Sequence, residues 1–120
     1  MKVVRLVPGG KAEIVDIENS LKSLQHEVNG YIEAIYLFED KVALICNEEG
    51  KIAGEEPCLG LIFNGELYDI IFGTVIIVGL SEDNFESLSD DLADKYCNMI
   101  NTTAKKVSIS NRFLPAIEVS

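Results

Sequence analysis

The stretch that decides the fold is Leu59-Gly60-Leu61-Ile62-Phe63-Asn64-Gly65-Glu66-Leu67-Tyr68-Asp69-Ile70-Ile71-Phe72. Asn64-Gly65 separates two apolar runs and supplies the two positive φ angles of a type I′ turn. The stretch therefore predicts a β-hairpin of Leu59–Phe63 and Glu66–Phe72. The apolar run continues through Gly73 into Val75–Val78. This predicts a strand buried on both faces, with Gly73 marking a bulge or a close backbone approach.

Four further segments, all N-terminal to this hairpin, have the composition of strands. Lys2–Val7 and Ala12–Ile17 flank the turn Pro8-Gly9-Gly10 and predict an N-terminal hairpin. Tyr31–Phe38 is rich in β-branched and aromatic residues, and Lys41–Cys46 returns beside it as a second pair. Strand pairs joined by short turns predict a mostly antiparallel sheet.

Two segments have helical spacing. A first helix is predicted over about residues 20–29, between an N-cap at Asn19-Ser20 and a C-cap at Gly30. Its apolar stripe, at i, i+3 and i+7, comprises Leu21, Leu24 and Val28. After Gly79, a second apolar stripe predicts another helix, with Ser89 as a candidate N-cap. The second stripe comprises Phe85, Leu88, Leu92, Tyr96, Met99 and Ile100.

The order β-β-α-β-β-β-β-α predicts the α+β class, with a mostly antiparallel sheet and the helices on one face. The chain of 120 residues has the length of one domain, which we expect to span residues 1–102. Residues 103–120 form a tail with a strand-like piece at Val107–Ile109 and an apolar end at Phe113–Ile117. This tail either packs on the domain or binds a partner.

The chain carries 20 acidic and 10 basic residues, a net charge of −10. Such a field repels phosphate backbones, so direct binding of nucleic acid is not expected. A basic protein partner is compatible with it, and so is a small anionic ligand in a nest of backbone N–H groups. The most apolar segment, Ile70–Leu80, is much shorter than the ~20 residues that cross a bilayer. Since Met1–Pro8 is no signal peptide, we expect a cytoplasmic protein without a membrane partner.

The residue types that most enzymes and metal sites require are scarce. His26 is the one histidine and the three cysteines form no C-x-x-C pair, so neither zinc nor another cofactor is expected. Cys46 and Cys97 lie in apolar surroundings. Cys58 is expected in a loop, in which exposure is an open alternative, beside Glu55 and Glu56, which raise a thiol pKa. No G-x-S-x-G motif is present. No catalytic residue is predicted, and the chain is expected not to be an enzyme.

Two segments have the character of a ligand site. The polar loop Asn47–Lys51 lies between strands, where a rigid sheet presents side chains to a ligand. Tyr68-Asp69 and Thr74 lie near Gly73, at which a ligand can approach the backbone. The predicted ligand-binding residues are Tyr36, Asn47, Lys51, Tyr68, Asp69 and Thr74. Structural interpretations, a C-cap loop and a strand bulge, stay open for the two segments.

A run of six acidic residues follows Gly79, and it has two interpretations. Most such runs form a solvated helix face, whereas a few mimic a phosphate backbone and occupy a DNA-binding protein. The residues are Glu82, Asp83, Glu86, Asp90, Asp91 and Asp94.

Several pieces of the sequence match a known family in order and spacing. These are Leu24–Glu33, Asn47–Lys51, Gly54, Pro57, Asp69–Thr74 and Gly79. Together they resemble a small domain-of-unknown-function family encoded mostly by phages, plasmids and conjugative elements of gut and soil bacteria, often near antirestriction genes. The resemblance covers about residues 2–100 and implies a role in the contest between mobile DNA and host defence, with no catalytic residues. The family's pattern favours a polar amide near Cys58, and this chain departs from it there.

We therefore expect a non-enzymatic binding protein that counters host defence. The leading hypothesis is a sponge that sequesters a nucleotide-derived immune signal, such as a cyclic ADP-ribose isomer or a cyclic dinucleotide. A homo-oligomer is expected as well, because small sheets with open edges pair. The alternatives are an acidic protein-binding inhibitor or DNA mimic, and an enzyme that degrades the same signals.

Overall fold

A computed structural model describes residues 1–119, which form ten strands and two helices. In chain order they are β1 (Lys2–Leu6), β2 (Glu13–Asp16), α1 (Leu21–Val28), β3 (Ile32–Ile35), β4 (Val42–Asn47), β5 (Pro57–Phe63), β6 (Glu66–Phe72), β7 (Val75–Leu80), β8 (Phe85–Glu86), α2 (Asp90–Thr102), β9 (Lys106–Ile109) and β10 (Arg112–Glu118). The predicted α+β class with mostly antiparallel strands is confirmed. Neither helix of these residues is long and apolar enough to cross a membrane.

The strands form two sheets. The larger sheet has the order β2-β1-β7-β4-β3, with β8 pairing with the end of β7, and its pairs are antiparallel. The smaller sheet has the order β6-β5-β10-β9, in which β5 and β10 run parallel. The chain passes from the smaller sheet to the larger at Gly73, whose φ is 88°. The sequence predicted that the run continues past a bulge or a close backbone approach at Gly73, but a left-handed residue turns the chain here and divides the run between two sheets.

The two helices cover opposite faces of the larger sheet, which corrects the prediction that they share one face. Leu24 and Val28 of α1 pack with Ile45 and Ile76 on one side. Tyr96 of α2 belongs to the core on the other side, together with the inner face of the smaller sheet. Because β4 and β7 are apolar at consecutive positions, both of their faces need cover, and the helices divide between them.

The predicted type I′ turn and both predicted N-caps are present, whereas the C-cap of the first helix is shifted by one residue. Asn64 and Gly65 have φ values of 51° and 79°, as a type I′ turn requires. Ser20 and Ser89 each accept a hydrogen bond from the backbone N–H three residues further along, which makes both of them N-caps. Helix α1 ends at Asn29 in the left-handed conformation, one residue before the glycine expected as its cap.

Helix α2 is shorter than its apolar stripe predicts. Phe85 lies in β8, paired with Leu80 of β7, and the helix begins only at Asp90. A Cβ on Gly79 would lie 2.7 Å from the Ser87 carbonyl oxygen, so the glycine admits this segment against β7. Periodicity does not detect that the backbone here has partners on a distant strand.

The C-terminal segment is part of the smaller sheet. Strands β9 and β10 form a hairpin around Ser110 and Asn111, which have φ values of 50° and 64°. Strand β10 pairs with β5, with Ala116 beside Gly60. A Cβ on Gly60 would lie 2.8 Å from a methyl group of Val107, so the missing side chain makes room for β9. Of the two alternatives for this tail, packing on the domain is the one observed.

Candidate functional site

A cleft of about 240 Å³ lies between the β4–β5 loop and the end of β6. Loop residues 48–52 and Asp69–Phe72 of β6 form its walls, and Glu33 of β3 also lines it. Three of the six predicted ligand-binding residues meet here, namely Asn47, Lys51 and Asp69. This convergence of residues from β3, β4, the loop and β6 makes the cleft the candidate site.

Close backbone contact holds the loop against β6. A Cβ on Gly50 would lie 2.4 Å from the carbonyl oxygen of Phe72, so only glycine fits there. The loop also closes on itself, with hydrogen bonds from Ala53 N to Glu49 O at 2.7 Å and from Glu55 N to Gly50 O at 3.0 Å. These contacts fix the wall of the cleft and use several loop amides internally.

Asn47 connects the cleft to the end of α1. Its amide nitrogen donates to the carbonyl oxygens of Val28 and Asn29, both at 3.1 Å, and its amide oxygen accepts from Glu49 N at 2.7 Å. Both amide hydrogens are therefore used. A Cβ on Gly30 would lie 2.7 Å from the same nitrogen, so this glycine makes room for the bonds. Asn47 positions the loop with both side-chain amide hydrogens, and the ligand-binding role predicted for it stays a prediction.

An ion pair connects the two walls of the cleft. Lys51 Nζ lies 3.1 Å from Asp69 Oδ1, and that oxygen also accepts from the backbone N–H of Ile70 at 2.8 Å. The ammonium lies 5.7 Å from the centroid of the Phe72 ring. Both charged side chains remain in contact with water, so the pair contributes little to stability. A charged ligand can replace either partner at small cost.

Carboxylates dominate the charge of the cleft. Glu33, Glu48, Glu49 and Asp69 line it, against the single ammonium of Lys51. This excess of negative charge attracts cations and repels anions. The cleft is thus complementary to a positively charged group.

The thiol that lines the cleft is held in its neutral form. Cys46 is buried, and its Sγ donates to the Glu33 carboxylate at 3.7 Å. Burial, reinforced by the charge of Glu33, raises the pKa of Cys46 to about 12. A thiol that stays protonated is a poor nucleophile. Among residues 1–119, no group of three His, Cys, Asp or Glu side chains is placed to hold a metal ion.

Cys58 corrects a sequence-based prediction. It lies buried in β5, not in a loop, because Pro57 begins the strand. Burial raises the pKa of Cys58 to about 12. The prediction had relied on the charge of the neighbouring glutamates as the cause.

The other three predicted ligand-binding residues lie outside this cleft. Tyr68 is 59% exposed on the β5–β6 hairpin, with its ring centroid 6.4 Å from that of Phe63. Tyr36, 60% exposed, lines a groove with the turn after β7. Thr74 lines a third groove, beside Arg5. The sequence-based prediction missed Glu33, because its place in the cleft depends on the pairing of β3 with β4.

The acidic run after Gly79 is divided among three elements and is not one helix face. Its first two residues follow β7, the third lies in β8 and the last three lie in α2. Lys2 pairs with Asp90, and Asp16 and Asp94 are near enough to raise the Lys2 pKa further. The acidic surface in this region is therefore built by β2 and α2 together around one lysine.

The fold and cleft define a small acidic α+β domain with a negatively charged surface cleft. The chain belongs to the family described as Domain of unknown function (DUF3846), whose model matches residues 1–101. The match ends within α2, so the β9–β10 hairpin lies beyond it. Comparisons with curated proteins and with solved structures found no match.

Proposed function

We propose that the protein is a non-catalytic binding protein whose cleft accepts a cationic group, namely the Lys or Arg side chain of a basic protein partner. The observation that carries this proposal is the set of four carboxylates around one lysine. A net charge of −10 extends the same attraction over the whole molecule and accelerates encounter with a basic partner.

The size of the cleft supports the same ligand class. Its volume is about 240 Å³, below the roughly 300–1,000 Å³ of pockets that hold drug-sized ligands. Ile52, which is 86% exposed, and Phe72 add apolar surface to the walls. A long basic side chain buries its aliphatic stem against such surface and keeps its charged end beside carboxylates. One side chain fits here better than a dinucleotide.

A nucleotide-derived signal requires donors for its phosphates, and this cleft provides few. The amides of Glu49, Gly50 and Ala53 already donate within the loop. Lys51 is paired with Asp69. The cationic ligand is therefore favoured over the cyclic nucleotide expected from the sequence. The binding experiment below includes cyclic nucleotides as the alternative ligands.

The resemblance to mobile-element proteins supplies the setting for the proposal. In that setting the partner is a basic protein of host defence, such as one that itself binds DNA. Expressing the protein in bacteria that carry a restriction system, and then measuring phage plating efficiency, tests this part. A rise in phage plating efficiency that is lost when the cleft carboxylates are neutralised supports this part of the proposal. Plating efficiency that is the same with and without the protein contradicts it.

Binding is tested by isothermal titration with a capped Lys- and Arg-containing peptide, its neutral Gln counterpart, a cyclic ADP-ribose isomer and a cyclic dinucleotide. We expect the basic peptide alone to bind. Its binding should weaken as salt rises from about 50 to about 300 mM, because added salt shortens the Debye length and screens the attraction between the charges. Mass spectrometry of the recovered peptide is expected to show it unchanged.

The matched variants are Glu48→Gln with Glu49→Gln inside the cleft, and Glu18→Gln with Asp91→Asn outside both the cleft and the groove at Tyr36. Both pairs remove two exposed charges, so the change in net charge is the same. We expect the cleft pair to weaken binding about three- to tenfold, as two partly screened charge contacts would, and the outer pair to have little effect. Equal effects of the two pairs, or binding of a nucleotide instead, would refute the proposed ligand class.

A further inference from the structure

Sheets bind other chains at unprotected edges, and this fold has four strands at the ends of its sheets, namely β2, β3, β6 and β9, besides the two-residue β8, which pairs with β7 alone. Strand β2 carries exposed charges at Glu13 and Asp16, and β9 begins with the exposed Lys106. Strand β6 is covered at its end, because the backbone of Gly50 contacts the carbonyl group of Phe72. Charged side chains and covering loops are the means by which proteins block pairing with another chain.

Strand β3 has less of this protection, because its one exposed charge, that of Glu33, lines the cleft. It consists of Ile32–Ile35, with Glu33 as its single charged residue and with no lysine or proline. It pairs with β4 on one side, and no strand within residues 1–119 pairs with its other side. Tyr31 and Tyr36, at its two ends, are 73% and 60% exposed. The edge is thus open, and an aromatic ring is available at each end.

The register of β3 connects this edge to the cleft. Glu33 is paired with Cys46, so both side chains point to the same face, and both line the cleft. In an antiparallel pair, residues directly opposite each other have Cβ atoms about 4.5–5.5 Å apart on one face. A strand added to β3 would therefore place the residue opposite Glu33 at the cleft.

We propose that an extended segment of the basic partner adds to β3 as an edge strand and places a Lys or Arg side chain opposite Glu33, in the cleft. This inference rests on the proposed function and specifies its partner segment. Main-chain hydrogen bonds to β3 supply affinity, the cleft carboxylates select the basic side chain, and Tyr31 and Tyr36 pack on the ends of the segment.

Charge selects this occupant over a second copy of the chain. Self-pairing of β3 brings together two molecules that each carry a net charge of −10. In a register that pairs Glu33 with its own counterpart, it also places a second glutamate near the four carboxylates of the cleft. A basic segment relieves that charge, and so complementarity favours it.

The test uses a short capped peptide of alternating Thr and Val with one central Lys, and two N-methylated forms of it. Because a strand exposes its N–H groups alternately on its two edges, methylating one alternate set removes the hydrogen bonds to β3 and methylating the other set spares them. We expect one form to bind about tenfold more weakly, as expected for lost main-chain hydrogen bonds, and the other form to bind like the parent. Equal binding of both forms, together with sensitivity to the cleft variants, overturns the edge-strand mode and leaves the proposed function standing. If no basic peptide binds, both proposals fail.

Tyr36→Ser and Tyr68→Ser provide a matched pair of protein variants, since the two rings are 60% and 59% exposed. We expect Tyr36→Ser to weaken peptide binding several-fold and Tyr68→Ser to leave it unchanged. Sedimentation of the free protein measures its oligomeric state and so tests whether a second copy of the chain occupies β3. A dimer that Tyr36→Ser dissociates and Tyr68→Ser does not would show that a second copy occupies β3, and would overturn the inference.

Discussion

Lys51 Nζ and Asp69 Oδ1 lie 3.1 Å apart and join the β4–β5 loop to β6 across the candidate cleft. The pair is exposed enough to water to open without much cost. It also cancels one of the four negative charges of the cleft. Lys51 therefore opposes the binding of a cation, while Asp69 favours it.

Replacing Lys51 with Met is expected to tighten binding of the basic peptide about three- to tenfold, because it frees Asp69 and removes a like charge. The free energy of unfolding should change by less than about 1 kcal/mol, since the pair is partly exposed. Titration calorimetry and urea unfolding measure the two quantities. Lys11→Met, at an exposed lysine outside the cleft, is the control. Weaker binding of the basic peptide to Lys51→Met would contradict the proposal that the cleft accepts a cation.

Replacing Asn47 with Ala is expected to lower the free energy of unfolding by about 2 kcal/mol, because two helix-end carbonyl groups lose their donor. Peptide binding should weaken as well, because the loop loses its orientation. Urea unfolding and calorimetry measure these effects. Asn84→Ala, at an exposed asparagine in the turn after β7, is the comparison, and an equal loss of stability there would contradict the positioning role.

Replacing Gly50 with Ala is expected to destabilise the fold by about 1–3 kcal/mol, as overpacking does. The reason is the distance of 2.4 Å from the new Cβ to the Phe72 carbonyl oxygen, a backbone atom that cannot move aside. Gly54→Ala tests backbone strain alone, because Gly54 has a φ of 78° and open space around it. We expect Gly54→Ala to cost about 1 kcal/mol. A larger loss of stability in Gly54→Ala than in Gly50→Ala would contradict the close approach of Gly50 to the Phe72 carbonyl oxygen.

The buried thiols predict how stability changes at alkaline pH. The pKa values of Cys46 and Cys58 rise from an ordinary 9.0 to about 12 in the folded protein. The unfolded chain therefore releases these protons first, and stability is retained below pH 9 and lost as the pH rises from 9 towards 12. Urea unfolding at pH 8, 9 and 10 measures this slope.

The control for the alkaline slope is replacement of one buried thiol. Cys58→Ala is expected to make the fall in stability above pH 9 shallower, whatever its effect on stability at pH 8. Cys97→Ala should alter the slope less, because Cys97 is only partly buried. An identical slope in Cys58→Ala and the parent would show that its thiol does not titrate as burial requires.

The sequence by itself determined the features that depend on neighbours along the chain. Asn64-Gly65 predicts a type I′ turn because both residues tolerate positive φ. Ser20 and Ser89 predict helix starts because their hydroxyl groups reach a backbone N–H three residues ahead. The α+β class followed from the order of such elements, and the acidity of the surface followed from composition.

The tertiary structure alone decided the features that depend on residues distant in the sequence. Glu33 reaches the cleft because β3 pairs with β4 in a register that places it beside Cys46. Phe85 continues the helical periodicity, yet it is a strand residue because its partner is Leu80. The cleft itself exists because Gly50 lets the loop approach Phe72 of another strand. Periodicity and propensity describe one segment at a time, whereas register and backbone approach belong to pairs of segments, and the site is made of such pairs.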